Sequence, residues 1–159
     1  MTSNPIDTEK INKAFAEYLA LKGLRKTTER TKIVECICRL QSHFDVETLQ
    51  TKLEEDNFHV STASIYNTLE LLMNACIIVR HQFSTQLIKY ELKSAAAHHH
   101  HVVCTHCGAV REVKNDKVMR VMKDVKITKF TMEYCSMYIY GICSKCKFRL
   151  KHNHKTKEK

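Results

Sequence analysis

Two pairs of cysteines constrain the fold of this chain more than any other feature of its sequence. Cys104 and Cys107 stand three positions apart, as do Cys143 and Cys146, and 35 residues separate the two pairs. Two Cys-x-x-Cys loops can place four thiolates around one ion, and such soft donors suit Zn²⁺. Four sulfur ligands leave no open coordination position. The spacing therefore predicts a structural zinc site, with four ordinary buried cysteines as the alternative.

The wider sequence bears on the compartment. No apolar run reaches the roughly 18 residues of a membrane span, and the N-terminus is polar where a signal peptide needs an apolar core. We therefore expect a soluble, cytoplasmic protein with no membrane partner. In a reducing compartment a chain with eight cysteines binds metal more often than it forms disulfides.

The net charge of +9 is unevenly distributed. Residues 1–92 carry 11 Lys/Arg against 12 Asp/Glu, whereas residues 93–159 carry 15 against 5. Within the first part, residues 22–39 hold six basic and two acidic side chains. An excess of positive charge favours an acidic partner such as double-stranded DNA, and the local cluster is the better candidate for a surface that faces phosphate.

Residues 1–92 have the pattern of helices followed by a β-hairpin. Apolar residues recur at helical spacing in four segments, which begin near Asp7, Thr27 or Thr28, Asp45, and Ser61 or Thr62. Two strand-like runs, 76–83 and 87–92, follow with a short polar link. This order predicts a winged helix-turn-helix, whose last helix before the hairpin enters the major groove.

The second half predicts a smaller mixed domain. Residues 93–97 are small apart from Lys93 and are predicted to form a hinge. Beyond them we expect strands at 101–104, 109–113 and 132–140, and a helix at 115–124. The chain is therefore predicted to be α+β, with a winged-helix domain (1–92), the hinge, a metal-binding domain (98–146) and a Lys- and His-rich tail (147–159) without regular structure.

Four consecutive histidines, His98 to His101, precede the first cysteine pair. An expression tag is the alternative to a native segment, but 58 residues follow, beginning with two valines that are typical of a strand. Side chains alternate along a strand, so His99 and His101 share one side and His98 and His100 the other. Histidines two positions apart can bind one ion with ligands from elsewhere. Taken alone, Glu91 reads as a surface charge and His43 as a loop residue.

Taken together, the motifs resemble the ferric uptake regulator (Fur) family of bacterial metal-dependent transcription factors over residues 15–146. The stretches that carry the resemblance are "GLRKTTER" (23–30), "STASIYNTLELL" (61–72), "YEL" (90–92), "HHHHVVCTHCG" (98–108) and "YIYGICSKC" (138–146). Any one of them is weak evidence, but the five in this order and spacing are specific.

The resemblance implies an N-terminal winged helix and a small C-terminal α/β dimerisation domain with a four-cysteine zinc site, in agreement with the spacing. It also implies a regulatory metal site that draws on both domains, with His43, Glu91, His99 and His101 as ligands. An ion joining the domains fixes the angle between the DNA-reading units of a homodimer, to the extent that it binds the closed form more tightly.

The regulatory metal is expected to be Fe²⁺, with Zn²⁺ or Mn²⁺ as alternatives, because nitrogen and oxygen donors do not separate these ions. The peroxide-sensing branch of the family typically has aspartate at the position of Glu91, which favours an iron sensor over a zinc or peroxide sensor. A third family site maps onto His98, His100, a residue near Met119, and Cys135. It has lost its carboxylates, so we expect it to be absent or weakly occupied, with a softer ion as the alternative.

The resemblance also implies a set of DNA-binding residues. Arg25 falls where the family places a basic residue in the minor groove, which suits A·T-rich tracts. The proposed readers in the major groove lie on or beside the last helix: Ser61, Thr62, Ser64, Tyr66 and Asn67. A dimer reads two half-sites, so a pseudo-palindromic operator is expected.

Two other functional classes compete with this prediction. A metal-dependent hydrolase is disfavoured, because the chain has no H-E-x-x-H motif and no nucleophile elbow. We therefore expect neither enzymatic activity nor a small-molecule substrate. A zinc-stabilised protein-interaction module is the second alternative. It predicts metal binding without metal-dependent DNA binding, whereas the family resemblance favours repression that metal activates.

Overall fold

The computed structural model describes residues 6–40, 42–84, 86–96, 99–132 and 134–155. They group into two compact units, the first within Met1–Gln82 and Ile88–Ala95, the second within Phe83–Leu87 and Ala96–Lys159. The stretch 93–97, predicted as a hinge, thus contains the change from one unit to the other. Along the described ranges, no helix is both long enough and apolar enough to span a membrane.

The first unit consists of four helices and an antiparallel hairpin. Its elements are α1 (Thr8–Leu21), α2 (Thr28–Leu40), α3 (Val46–Glu55), α4 (Thr62–Asn74), β1 (Ile78–Gln82), β2 (Ile88–Leu92) and most of the short helix α5 (Lys93–Ala96). Helices followed by a two-stranded wing form the winged helix-turn-helix that the sequence predicts.

Local sequence explains where these helices begin and end. Asp7, Asp45 and Ser61 each accept a hydrogen bond from the backbone N–H three residues on, at 3.0, 2.8 and 3.1 Å, and so cap α1, α3 and α4. Past the ends of α1 and α4, Gly23 and Cys76 adopt left-handed φ angles of 67° and 54°. The starting points predicted for these three helices are therefore confirmed.

The core of the first unit is continuous and apolar. Inward-facing residues of all four helices pack together with Phe44, Tyr90 and the ends of the hairpin. Its fully buried members include Leu19, Ile33, Val34, Leu49, Leu53, Ile65, Leu69 and Leu72. This packing fixes α3 and α4 against each other and leaves the opposite face of α4 exposed.

The hairpin strands start later than predicted. The N–H groups of Cys76 and Ile77 donate to carbonyls at the end of α4, both at 2.9 Å, so the strand begins at Ile78 rather than at residue 76. The two strands pair in one continuous register, in which Ile78 lies opposite Leu92 and His81 opposite Lys89.

The second unit contains a three-stranded mixed sheet and two helices. Its elements are β3 (His100–Cys104), β4 (Val110–Val113), α6 (Asp116–Asp124), β5 (Tyr138–Gly141) and α7 (Ser144–Lys155). The sheet order is β4-β3-β5, with β3 antiparallel to β4 and parallel to β5. Together the two units confirm the α+β class.

The predicted bounds of two elements in the second half were wrong. The last strand starts at Tyr138, not at residue 132. Helix α7 continues to Lys155, past Leu150, where no regular structure was expected. Lysine is a good helix former, and histidine and asparagine, although weaker, do not break a helix, so α7 can continue past Leu150 without an apolar period. Residues 156–159 of the predicted tail lie outside the described residues.

The second unit buries little apolar surface on its own. Its buried apolar side chains in the described ranges are Phe83, Ala96 and Val103, together with Cys104 and Cys146. Many large apolar side chains are exposed instead, among them Val121, Ile127, Phe130, Ile139, Tyr140 and Phe148. A unit with so small a core needs a metal site, a partner surface or both for stability.

Candidate metal centres and DNA interface

The four cysteines of the two Cys-x-x-Cys pairs converge in the second unit. Cys104 ends β3, Cys107 lies in the following turn, and Cys143 and Cys146 flank the start of α7. All four Sγ atoms lie within 4.8 Å of one another, and those of Cys107 and Cys143 are 3.8 Å apart. Sulfurs bound at about 2.3 Å to a tetrahedral Zn²⁺ lie about 3.8 Å from one another. The donor set fits a structural zinc ion.

The backbone brings the two cysteine pairs together. The parallel register of β3 and β5 places Cys104 opposite Gly141, so Cys143 follows two residues later at the same end of the sheet. Gly108 closes the first turn, with a φ of 69° and an N–H that donates to the Cys104 carbonyl at 2.9 Å. A residue other than glycine is strained at such a φ.

The thiols of this cluster have strongly different pKa values. The backbone N–H of Cys143 donates to the Cys104 Sγ at 3.3 Å and lowers the pKa of Cys104 to about 6. Burial raises the pKa of Cys146 to about 12. A backbone hydrogen bond from Cys146 lowers the pKa of Cys143. One thiolate is therefore preformed at neutral pH, while another thiol must release a proton to bind zinc.

A second donor cluster lies in the first unit around Glu91. This carboxylate is only 2% exposed, and its Oε1 lies 3.1 Å from His43 Nε2 and 2.6 Å from His81 Nε2. The two imidazole rings lie 5.5 Å apart in an edge-on arrangement. A buried carboxylate needs partners of this kind, and one oxygen between two imidazole nitrogens is a donor set for a divalent ion.

The position of His43 beside Glu91 follows from an isolated β-bridge. The N–H of Phe44 donates to the Tyr90 carbonyl at 2.9 Å, and the N–H of Tyr90 donates to the Phe44 carbonyl at 2.7 Å. Both rings are buried in the core and stack with their centroids 5.9 Å apart. The bridge therefore holds the loop before α3 against the wing strand β2.

His99 and His101 form a pair in the second unit. Their Nε2 atoms lie 3.2 Å apart, and both side chains are buried. The ring of His101 stacks on Tyr138 at 5.5 Å and meets Phe83 at 4.9 Å, which fixes its orientation. Two nitrogens bound at about 2.0–2.1 Å to one tetrahedral ion lie about 3.3 Å apart. The pair is therefore spaced to bind a single ion.

The predicted third site receives less support. His98 lies outside the described residues, and Cys135 is half-buried. His100 is 2% exposed, and neither of its ring nitrogens has a hydrogen-bond partner among the described residues. Within those residues, no group of three or more donors contains His100 or Cys135. The third site stays a prediction.

Two donors were missed by sequence reasoning. His81 is fully buried beside Glu91. The sequence could indicate this only through the register of the predicted hairpin: with Phe83 N–H donating to the Leu87 carbonyl, His81 lies on the face of the hairpin that Glu91 occupies. Glu112 lies on β4 opposite His101, so their side chains share a face of the sheet. The hydrophobic pattern of β4 gave no reason to single out Glu112.

The predicted DNA-binding residues lie at the start of α4, on its exposed face and in the loop before α2, and all are exposed except Ser64, which is half-buried. Tyr66 is 54% exposed, Asn67 is exposed beside it, and Thr62 donates to Gln50 Oε1 of α3 at 3.3 Å. Ser61 and Ser64 are engaged in the cap of α4. Tyr66 and Asn67 are therefore the better placed of the predicted readers.

The loop that carries Arg25 is held by a side chain of α2. Arg25 is exposed, and its carbonyl accepts a hydrogen bond from the Arg30 guanidinium. The backbone N–H of Arg30 in turn donates to the Thr27 hydroxyl at 3.3 Å. These contacts order the loop and leave the Arg25 side chain available for an external anion.

Comparison with known proteins shows extended similarity to one family. The Ferric uptake regulator family matches residues 21–140. A ferric uptake regulation protein of Campylobacter upsaliensis is 32% identical over 148 residues, which are 91% of this chain and 90% of that protein. The corresponding Bordetella parapertussis protein is 32% identical over 126 residues, covering 78% of this chain and 90% of its own length.

Solved structures show the same likeness. The ferric uptake regulator of Pseudomonas aeruginosa, determined with manganese, superposes with a TM-score of 0.69 at 25% identity. The match covers 87% of this chain and 98% of that one. Fold, cysteine cluster and extended sequence similarity lead to one conclusion: the chain belongs to the ferric uptake regulator family, whose members are metal-responsive transcription regulators and not enzymes.

Proposed function

We propose that this protein is a homodimeric, iron-responsive repressor that acts in the cytoplasm on A·T-rich, pseudo-palindromic operators when its regulatory metal is bound. The observation that carries the proposal is the buried carboxylate of Glu91 between the imidazoles of His43 and His81. It lies on the wing strand of a winged helix and so connects a metal-ligand set to a DNA-reading fold.

The regulatory ion takes ligands from both units in this proposal. His43 and Glu91 come from the first unit, and His99 and His101 from the second. The wide spacing of these residues in sequence means that an ion binding all four stabilises one arrangement of the units over others. Its effect on DNA binding is limited by its differential affinity for that arrangement.

Fe²⁺ is the proposed physiological ion. Imidazole and carboxylate donors suit Fe²⁺, Mn²⁺ and Zn²⁺ alike, so the supply in the cell decides among them. The curated relatives named above are ferric uptake regulation proteins, and the Pseudomonas aeruginosa regulator was determined with manganese. Zinc sensing and peroxide sensing are the alternatives within the family.

A separate Zn²⁺ ion is proposed at Cys104, Cys107, Cys143 and Cys146. With four thiolates it has no open position, so it stabilises the second unit and takes no part in sensing. The exposed apolar side chains of that unit are the proposed dimer surface, because oligomer contacts bury surface of this kind.

For DNA recognition, α4 enters the major groove and Arg25 the minor groove. Tyr66 contacts a thymine methyl or a phosphate, and Asn67 pairs with the N6 and N7 atoms of adenine. Ser61, Thr62 and Ser64 at the start of α4 complete the proposed set of major-groove readers.

Native mass spectrometry of the untagged protein, before and after EDTA dialysis, tests the two-metal part of the proposal. We expect one zinc per protomer to be retained and a second ion to leave and reload with Fe²⁺ or Mn²⁺. The His99→Ala variant should lose only the exchangeable ion, while His59→Ala, which alters an exposed histidine outside every donor cluster of the described residues, should lose neither.

A protein that holds the retained zinc and never a second ion contradicts the sensor and favours the zinc-stabilised interaction module. An exchangeable ion that His99→Ala still binds with full affinity places the regulatory site elsewhere.

A further inference from the structure

The loop before α3 runs antiparallel to the wing strand β2, and three successive residue pairs, called rungs below, join the two segments. His43 pairs with Glu91, Phe44 with Tyr90, and Asp45 with Lys89. Side chains alternate across such a pair, so the first and third rungs share one face while the middle rung points into the core. The Asp45–Lys89 ion pair therefore lies directly beside the donors proposed to bind the regulatory ion.

The two carboxylate oxygens of Asp45 make separate interactions. Its Oδ1 accepts from the backbone N–H of Thr48 at 2.8 Å and from the Thr48 hydroxyl at 2.5 Å, which caps α3. Its Oδ2 pairs with the Lys89 ammonium of β2. One side chain thus fixes the N-terminus of α3 to the wing. The side chains of Asp45 and Lys89 are 34% and 27% exposed, so the ion pair is partly shielded from solvent.

Helix α3 in turn contacts α4, the helix that is proposed to enter the major groove and is called the recognition helix below. Gln50, one turn into α3, accepts a hydrogen bond from Thr62 at the start of α4 at 3.3 Å, and the two helices share the core through Leu49, Leu53, Ile65 and Leu69. A displacement of the α3 N-terminus relative to the wing is therefore passed to α4 through packed side chains and a hydrogen bond.

We propose that the Asp45–Lys89 ion pair is the positioning contact through which an ion bound at His43 and Glu91 orients α3, and with it the recognition helix. The proposal rests on the metal-responsive function proposed above. His43 and Glu91 lie 3.1 Å apart, so an ion bound by both would hold the loop before α3 at a fixed distance from the wing. The Phe44–Tyr90 bridge and the Asp45–Lys89 pair continue that contact to the N-terminus of α3. Neither Asp45 nor Lys89 is a ligand in this scheme.

The test measures operator affinity by fluorescence anisotropy with the regulatory site empty and with it loaded with Mn²⁺, structural zinc being retained throughout. Asp45→Asn keeps the cap acceptor and removes the charge, and Lys89→Met keeps the length of the side chain and removes its ammonium. Each should lower the metal-dependent gain in affinity by about fivefold or more, within the usual range of coupling between two sites. Both should bind Mn²⁺ at wild-type stoichiometry.

Two further variants separate coupling from other effects. The double variant should lose no more than either single one, because both remove the same interaction. The control is Lys52→Met, which breaks an ion pair with Glu55 at the other end of α3, and it should leave the gain unchanged.

An undiminished metal-dependent gain in Asp45→Asn and Lys89→Met overturns the proposal. So does an equal loss of affinity in both metal states with a shallower salt dependence, because that pattern identifies Lys89 as a phosphate contact. If the wild-type protein itself shows no metal-dependent gain, the proposed function fails first, and the two failures are thereby distinguished.

Discussion

Replacing Cys146 by serine is predicted to unfold the second unit and to leave the first unit folded. Among the described residues, the buried apolar side chains of the second unit are Phe83, Ala96 and Val103 besides two cysteines. Burial of a phenylalanine or valine side chain contributes about 1.5–3 kcal/mol, so the three together supply on the order of 5 kcal/mol. A structural Zn²⁺ contributes roughly 10–16 kcal/mol. On these figures the proposed zinc ion outweighs the apolar core of one protomer, and we predict that the unit depends on it.

Hydrogen exchange followed by mass spectrometry resolves the two units in one experiment. In Cys146→Ser the segments of β3, β4 and β5 should lose protection and the zinc should dissociate. The segments of α1 to α4 should keep their protection, because the core of the first unit contains no cysteine of the cluster. Cys135→Ser, a half-buried thiol outside the cluster, is the matched control and should behave as the wild type.

A contrary result is easily recognised. If Cys146→Ser loses its zinc but β3 and β5 exchange as slowly as in the wild type, the ion does not stabilise the second unit. The magnitude derived above would then be wrong, and dimer contacts would have to supply the stability instead.

Three further predictions concern other parts of the molecule. Tyr66→Ala should weaken operator binding by about 1–3 kcal/mol, measured by anisotropy; non-specific binding stays unchanged if Tyr66 contacts a thymine methyl and weakens as well if it contacts a phosphate, and unchanged operator affinity removes Tyr66 from the readers. Cys76→Gly should raise the free energy of unfolding of the first unit by about 1 kcal/mol in urea, because glycine tolerates the positive φ; a loss of stability contradicts this. Zinc affinity should rise about tenfold per pH unit for each proton displaced between pH 6 and 8, since the pKa of Cys146 near 12 keeps that thiol protonated; pH-independent binding contradicts it.

Local chemistry made the first unit predictable. Asp45 and Ser61 predict the starts of the helices that follow them, and the apolar periodicity of those helices specifies the face that packs into the core. The two Cys-x-x-Cys pairs were equally informative, because four soft donors at that spacing suit one ion. Their convergence in the structure fits the zinc site that the spacing predicts.

Features that depend on register or solvation were harder to predict. His81 stands in a strand whose pairing partner must be known before its neighbour Glu91 can be identified. Helix α7 extends over residues that have no apolar face, so periodicity could not reveal it. The strand expected from residue 132 begins only at Tyr138, where its ladder with β3 starts at the His101–Tyr138 pair. Pairing and solvation are properties of the folded chain, which a local pattern does not record.

The most direct test of the proposed function is the affinity of the zinc-retaining protein for an A·T-rich pseudo-palindromic operator, titrated with and without Fe²⁺ or Mn²⁺ at fixed ionic strength. A metal-responsive repressor should bind the operator at least about fivefold more tightly when the regulatory ion is present, and Glu91→Gln should abolish that gain. Equal affinity in the two metal states, in a protein that still folds and retains zinc, would contradict the proposal that this protein senses metal through Glu91.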